Sequence, residues 1–459
     1  MTRLDAVLNQ IDQDLDNTLE RLYALLRIES ISTDPAYRQP CLDAAQWLTD
    51  NLTEIGVDAS VRETEGLPMV VGHGGTQGPK VLFYGHYDVQ PVDPLDLWNR
   101  PPFEPAIEDT PDGKVIRARG AADDKGQLMT FVEACRAWQA VHGELPAQIT
   151  FLFEGEEESG SPSLVPFLER NTDELRAAIA LVCDTGMWNA TTPAIGTLLR
   201  GMVGEEITIT GPDKDLHSGM YGGPAQNPIR VLARLLAGLH DDTGRVTLPG
   251  FYDGVPELPA DILAQWQGLN FDATEFLGAV GLSEPAGEVN YSALEQIWSR
   301  PTCEFNGISG GYTGEGFKTV LPSKASVKVS FRLVGTQDPE KIRASLQQYI
   351  REGLPADCSV TFEPHGGSPA TSMAIEDPVF EQARQALGEE WGVPAVYTGC
   401  GGSIPVVGHF SDILGMDSLM IGFGLDDDQI HSPNEKYSLT SFHKGIRSWA
   451  RVLDAMSSQ

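Results

Sequence analysis

A run of apolar and β-prone side chains, Ile149-Thr-Phe-Leu-Phe153, ends on Glu154-Gly-Glu-Glu-Glu-Ser-Gly-Ser161. Such a run reads as a strand buried on both faces. Adjacent carboxylates beside a hydrophobic core lose hydration and repel one another, so a bound cation is the simplest compensation. A solvated acidic turn is the commoner fate of three consecutive glutamates. Recurrence of the pattern decides between the two.

It recurs. Pro79-Lys-Val-Leu-Phe-Tyr-Gly-His86 reads as a buried strand running into His86-Tyr-Asp88, and Ala177-Ala-Ile-Ala-Leu-Val-Cys-Asp184 as another that ends on an acid. Ser418-Leu-Met-Ile-Gly-Phe-Gly424 reads as a fourth, leading through an acidic loop to His431. Open α/β sheets bind ligands along the edge formed by such strand ends. Residues two apart in an extended segment face the same way, so His86 and Asp88 reach one region as a ligand with its orienting acid. A hydrogen-bonded histidine at a strand end is the alternative at that position. Asp123 and Asp124 stand between a glycine turn and an apolar-periodic helix, where helix capping is the competing explanation.

The 459 residues exceed one ordinary core, and the texture changes partway along. Glu205-Glu-Ile-Thr-Ile-Thr-Gly211 and Ala325-Ser-Val-Lys-Val-Ser-Phe-Arg-Leu333 alternate apolar and polar residues, as half-exposed antiparallel strands do. Helices are expected over Asn227–His240 and Asp338–Leu354, each with a cap residue and a proline at its start. The expected organisation is an α/β domain over 1–204 and 375–459, interrupted by an α+β insertion over 205–374. One amphipathic helix is expected across 4–28 and another across Asp43–Leu52, whereas 241–310 shows no readable pattern.

A formal charge of −33 repels phosphates and anionic surfaces, which excludes nucleic acid and membranes as partners. Apolar runs fall short of the ~20 residues of a membrane span, and Met1-Thr-Arg-Leu-Asp5 is followed by acidic amphipathic sequence, so no signal segment is expected there. Six cysteines without CxxC spacing read as free thiols, so a cytoplasmic location is expected and any metal must use histidine and carboxylates.

Five stretches, Gly85-His-Tyr-Asp-Val-Gln-Pro91, Arg119-Gly-Ala-Ala-Asp-Asp-Lys-Gly126, Glu154–Ser161, Asp215-Leu-His-Ser-Gly219 and His431-Ser-Pro-Asn-Glu435, together resemble the M20 family of dinuclear zinc peptidases. The resemblance spans nearly the whole chain and is strongest to the dipeptidase branch that includes carnosinase and cytosolic nonspecific dipeptidase. It implies a zinc-peptidase catalytic domain, with a mixed central sheet flanked by helices, interrupted by a lid and dimerisation domain. It also implies two divalent ions per subunit, zinc first, with manganese or cobalt as alternatives. His86, Asp123 and Asp184 would hold one ion; Asp123, Glu158 and His431 would hold the other. Glu157 would be general base and acid, a register among the three glutamates that spacing alone leaves open. Asp88 would orient His86, and the peptide after Asp123 would be cis.

The resemblance further implies a homodimer in which His217 serves the partner subunit's oxyanion, and a small peptide substrate. Its free carboxylate would be held by Arg332, with Gly402, Ser403 and His365 as additional contacts. Arg332 lies on the open face of an alternating strand, where a solvated arginine is the ordinary outcome. Aspartate at 184, where carboxypeptidase-like members more often carry glutamate, is similar to the dipeptidase and aminopeptidase branch. The expected activity is therefore hydrolysis of unblocked dipeptides. The alternatives are an amidase or carboxypeptidase acting on N-acyl amino acids, and a silent binding protein.

Overall fold

The computed structural model describes residues 2–402 and 404–457. They form two compact units, one of residues 1–197, 373–398 and 409–459, the other of residues 198–372 and 399–408.

The first unit is built on a mixed sheet. Its strands lie in the order Asp58–Arg62, Met69–Gly74, Gln148–Glu154, Lys80–His86, Ile179–Val182, Ser418–Met420 and Ala194–Leu199. The four from Gln148–Glu154 to Ser418–Met420 are mutually parallel, with antiparallel neighbours on either side. These are the four strands whose apolar runs end in titratable residues, so parallel pairing brings their carboxyl ends to one edge. Their side chains are buried on both faces because helices cover the sheet. Lys125–His142 packs against Lys80–His86, and Leu439–Ser457 packs against Lys125–His142. At this junction Phe83 stacks on Phe131 with centroids 3.8 Å apart, and Trp449 meets both edge-on at 5.8 and 5.2 Å. Each phenylalanine contributes roughly 1.5–3 kcal/mol by leaving water.

Two expectations change in detail. The 4–28 helix is two helices, Arg3–Gln13 and Leu15–Leu26, broken at Asp14, whose carboxylate accepts from Asn17 and Arg21. The strand expected over 418–424 is regular only over Ser418–Met420, with an isolated bridge from Gly424 to Gly186 beyond it. Beyond it the backbone closes on the neighbouring strand end, where a Cβ on Gly422 would stand 2.0 Å from the Thr185 carbonyl oxygen.

The second unit is an antiparallel sheet in the order Thr302–Gly310, Lys324–Leu333, Gly201–Thr210 and Ser359–Ser368. Val327, Val329, Phe331 and Leu333 point to its buried face. Helices Pro228–Ala237 and Pro339–Gly353 pack on the sheet. Asn227 and Asp338 cap them, accepting from the backbone N–H groups of Ile229 and Glu340. The stretch 241–310 forms short helices at Ala260–Gly268, Ala273–Gly278 and Ala293–Trp298 before the edge strand. Each is too short for a helical period to show clearly in the sequence. Among the described residues no helix is long and apolar enough to cross a membrane.

Candidate metal centre

The strand ends of the first unit converge on two ligand sets. His86 closes its strand, Asp184 lies two residues past Ile179–Val182, and Glu158 sits in the turn Glu157–Ser159 after Gln148–Glu154. Asp123 precedes helix Lys125–His142, and the Asp123–Asp124 peptide is cis. His431 adopts φ +61°, a left-handed conformation, in the loop after Ser418–Met420. His86, Asp123 and Asp184 form one group, and Asp123, Glu158 and His431 the other, with the ligand atoms of each group within 4.8 Å of one another. Asp123 belongs to both: Oδ1 lies 3.2 Å from His86 Nε2 and Oδ2 lies 2.8 Å from His431 Nε2. His431 Nε2 is 3.2 Å from Glu158 Oε2, and His86 Nε2 is 4.0 Å from Asp184 Oδ2.

A second layer fixes these groups. His86 Nδ1 faces the Asp88 carbonyl oxygen at 3.1 Å and its carboxylate at 3.3 Å, which leaves Nε2 turned to the site. The same carboxylate accepts from the backbone N–H groups of Glu157 and Glu158 at 3.3 and 3.0 Å. Gln90 Nε2 donates to Glu158 Oε2 at 2.7 Å, and the Asp124 carboxylate accepts from the His86 N–H at 3.1 Å.

Carboxylates outnumber imidazoles here, and the electrostatics register the excess. Burial and then the charge of Asp123 push the Asp184 carboxyl up to about 7. Burial also raises Glu157, with Glu158, Asp88 and Asp123 adding to the effect and His86 opposing it. Hydrogen bonds to Asp123 and then Glu158 push the His431 imidazolium up to about 10. Burial works against charge on His86, but its hydrogen bonds to Asp123 and Asp88 prevail and hold the imidazolium well above the usual range. A cluster of this composition around the buried His86 and Asp123 calls for cations.

The donor set fits two divalent ions. Each group supplies imidazole nitrogen and carboxylate oxygen with no thiolate, a chemistry suited to zinc, manganese or cobalt. Asp123 turns a different oxygen to each group, so one side chain can serve both. Three protein ligands for each ion would leave a position open, as catalytic sites require.

The remaining expected site residues belong to the second unit, apart from Ser403, which lies outside the described residues. His217 is exposed, and its Nδ1 accepts from the Gly219 N–H at 3.0 Å. Arg332 lies on the half-exposed face of its strand, opposite Met202 and Thr302. His365 Nε2 stands 3.7 Å from Glu206 on the adjoining strand. The Gly402 carbonyl accepts from the Arg200 N–H at 3.1 Å.

Sequence reasoning passed over Gln90, Arg119 and Glu435, although each stands inside one of the five motif stretches. Glu435 Oε1 accepts from the N–H groups of Ala122 and Asp123. Its Oε2 accepts from the N–H of Gly120 and from Arg119 Nη1. Their positions within the motifs were the available signal.

The sequence profile of peptidase family M20/M25/M40 matches residues 82–455. The chain is 29% identical to a Cys-Gly metallodipeptidase of Schizosaccharomyces pombe, over 99% of this chain and 98% of that protein. It resembles the crystal structure of human carnosine dipeptidase 1 with TM-score 0.77 and 25% identity, each chain being covered in full (100%). It also resembles an M20 family metallo-carboxypeptidase of Sulfolobus solfataricus, with TM-score 0.79 and 30% identity over 96% of this chain and 99% of that one.

Proposed function

The chain belongs to peptidase family M20/M25/M40, and from that membership we propose that it is a dinuclear metallopeptidase that hydrolyses the peptide bond of unblocked dipeptides. The observation that carries this reading is Asp123, shared through its two oxygens between two three-residue ligand sets. Similarity to a Cys-Gly dipeptidase and to carnosine dipeptidase supports the substrate class.

His86, Asp123 and Asp184 would hold one ion, and Asp123, Glu158 and His431 the other. When bound, two divalent ions, zinc first and manganese or cobalt as alternatives, would polarise the scissile carbonyl and lower the pKa of a water toward roughly 7. Glu157 takes a proton from the attacking water and delivers it to the leaving amine, because an amide nitrogen leaves poorly as an anion. Burial, assisted by neighbouring carboxylates and opposed by His86, raises its pKa in the direction this exchange needs. Asp88 keeps His86 Nε2 turned inward and holds the turn that carries Glu157. His217 donates to the developing oxyanion in the partner subunit of a homodimer formed through the lid domain. Arg332 receives the free carboxylate, a match of planar cation to planar anion, and Gly402, Ser403 and His365 are the further contacts that the family resemblance implies. The cysteines, unpaired in the fold, support the cytoplasm as the compartment.

The test is amino-acid release from dipeptides, dipeptide amides, tripeptides and N-acetyl amino acids, using protein stripped with chelator and reloaded with zinc or manganese. Metal-dependent cleavage confined to unblocked dipeptides is expected. Preference for the acetylated compounds would move the protein to the amidase and carboxypeptidase reading.

A further inference from the structure

Two charged residues of the motif stretches belong to neither ligand set, and they meet each other. Arg119 Nη1 lies 2.8 Å from Glu435 Oε2, with the side chains 2% and 0% exposed. We infer that Glu435, anchored by Arg119, is a positioning residue that sets the spacing of Asp123 and His431 and thereby the geometry of both metal sites. The inference rests on the dinuclear reading above.

The contacts of Glu435 support this role. Its Oε1 accepts from the Ala122 N–H at 2.9 Å and from the N–H of Asp123 itself at 3.1 Å. Its Oε2 accepts from the Gly120 N–H at 3.0 Å and from Arg119. Two donors on each oxygen replace the hydration that burial removes. The carboxylate therefore fixes the backbone leading to the shared ligand from a residue four positions after His431. Arg119 extends the link, because its Nη2 donates to the Pro91 carbonyl oxygen at 3.0 Å, three residues past Asp88. One buried ion pair thus joins the His86 loop, the Asp123 loop and the His431 loop.

A backbone ladder brings the pair together. Strand Lys436–Ser438 runs antiparallel to Gly113–Arg117, with Lys436 opposite Arg117. The residue before one strand, Glu435, is thereby set against the residues just after the other. A fold that needed only stability would be served as well by an apolar pair of similar volume, since buried ion pairs seldom gain over such replacements. An apolar side chain could not, however, accept from the three backbone N–H groups, of Gly120, Ala122 and Asp123, that lead into the shared ligand.

The experiment compares wild type, Glu435→Gln and Arg119→Lys, each stripped of metal and titrated with Co²⁺ and Zn²⁺ against a competing chelator at a temperature well below unfolding. The readouts are the stoichiometry and affinity for each ion, the Co²⁺ absorption spectrum, the melting temperature, and kcat and KM on a dipeptide. In Glu435→Gln the new amide nitrogen faces donors, so affinity for at least one ion should fall about 10–100-fold, as for other residues that support metal ligands. The Co²⁺ spectrum should change, and kcat should fall with little change in KM. Arg119→Lys keeps the charge but loses the two-pronged reach, and a smaller change of the same kind is expected; it carries the test if Glu435→Gln does not fold. A purely structural role would lower the melting temperature and leave affinities and spectrum as in wild type, and that result overturns the inference. Wild-type protein that binds fewer than two ions would instead overturn the dinuclear reading on which it stands.

Discussion

Asp88 accepts the backbone N–H of Glu158 through Oδ2 at 3.0 Å, so a residue that orients a ligand of one set also holds a ligand of the other. Its main-chain carbonyl still faces His86 Nδ1 at 3.1 Å, a contact that no side-chain substitution removes. The tautomer of His86 should therefore survive Asp88→Ala, and the damage should fall on the turn carrying Glu157 and Glu158. The expected outcome is a loss of about 10–100-fold in kcat with a smaller loss of bound metal. Parallel measurement of turnover and metal content checks this, and equal losses in both would place the role of Asp88 on His86 alone.

Glu157 lies outside both ligand sets, half-buried and adjacent in the chain to Glu158. Glu157→Gln preserves its size and removes its capacity to carry a proton. Two ions should still bind, while kcat falls by about 10²–10⁴-fold, the range associated with loss of a general acid–base group. Near-normal turnover in the metal-loaded variant would remove Glu157 from the reaction.

The metal-free protein should lose stability as pH rises, and metal should suppress that loss. His431 is raised to about 10, so its contribution is fully present below its unfolded value near 6.5 and disappears as pH climbs through 10. Asp184 is raised to about 7, so the folded chain holds a proton that the unfolded chain has released, and ionising it between about pH 4 and 7 costs stability. Both shifts act in the same sense. Melting temperatures of the stripped protein should fall from pH 5 to pH 8 more steeply than those of the loaded protein. Calorimetric titration in buffers of different ionisation heat should show proton release on metal uptake. A loaded protein with the same pH slope as the stripped one would contradict the assignment of these groups to the metal sites.

What was legible in the sequence follows from how locally each feature is determined. The parallel strands announced themselves because an apolar run that ends in a histidine or an acid is local information, and their common edge follows from sheet geometry. Which glutamate does what depends on the turn after the strand. There, Glu156 is buried and accepts from the Leu67 N–H, Glu157 is left half-buried, and Glu158 meets His431 and Gln90. No periodicity encodes that turn, and only the family resemblance supplied a register. The Arg119–Glu435 pair joins residues 316 positions apart through strand pairing, so neither partner reveals the other in sequence. The break at Asp14 was hidden for a different reason, since the apolar spacing continues on both sides of it.

His217 offers a test of the dimer and of the oxyanion donor together. Its Nδ1 accepts from the Gly219 N–H, so a neutral ring carries its proton on Nε2, which is free to donate. Loss of one such donor typically costs about 10²–10³-fold in kcat, and His217→Ala should show a loss of that order while retaining both metals. If the histidine serves the partner subunit, a mixed dimer of His217→Ala and Glu157→Gln chains contains one site with both groups intact. Mixing the two nearly inactive variants under conditions that exchange subunits should then restore activity. Exchange demonstrated by a mass or fluorescence label, without any recovery of turnover, would confine His217 to its own subunit or remove it from the reaction.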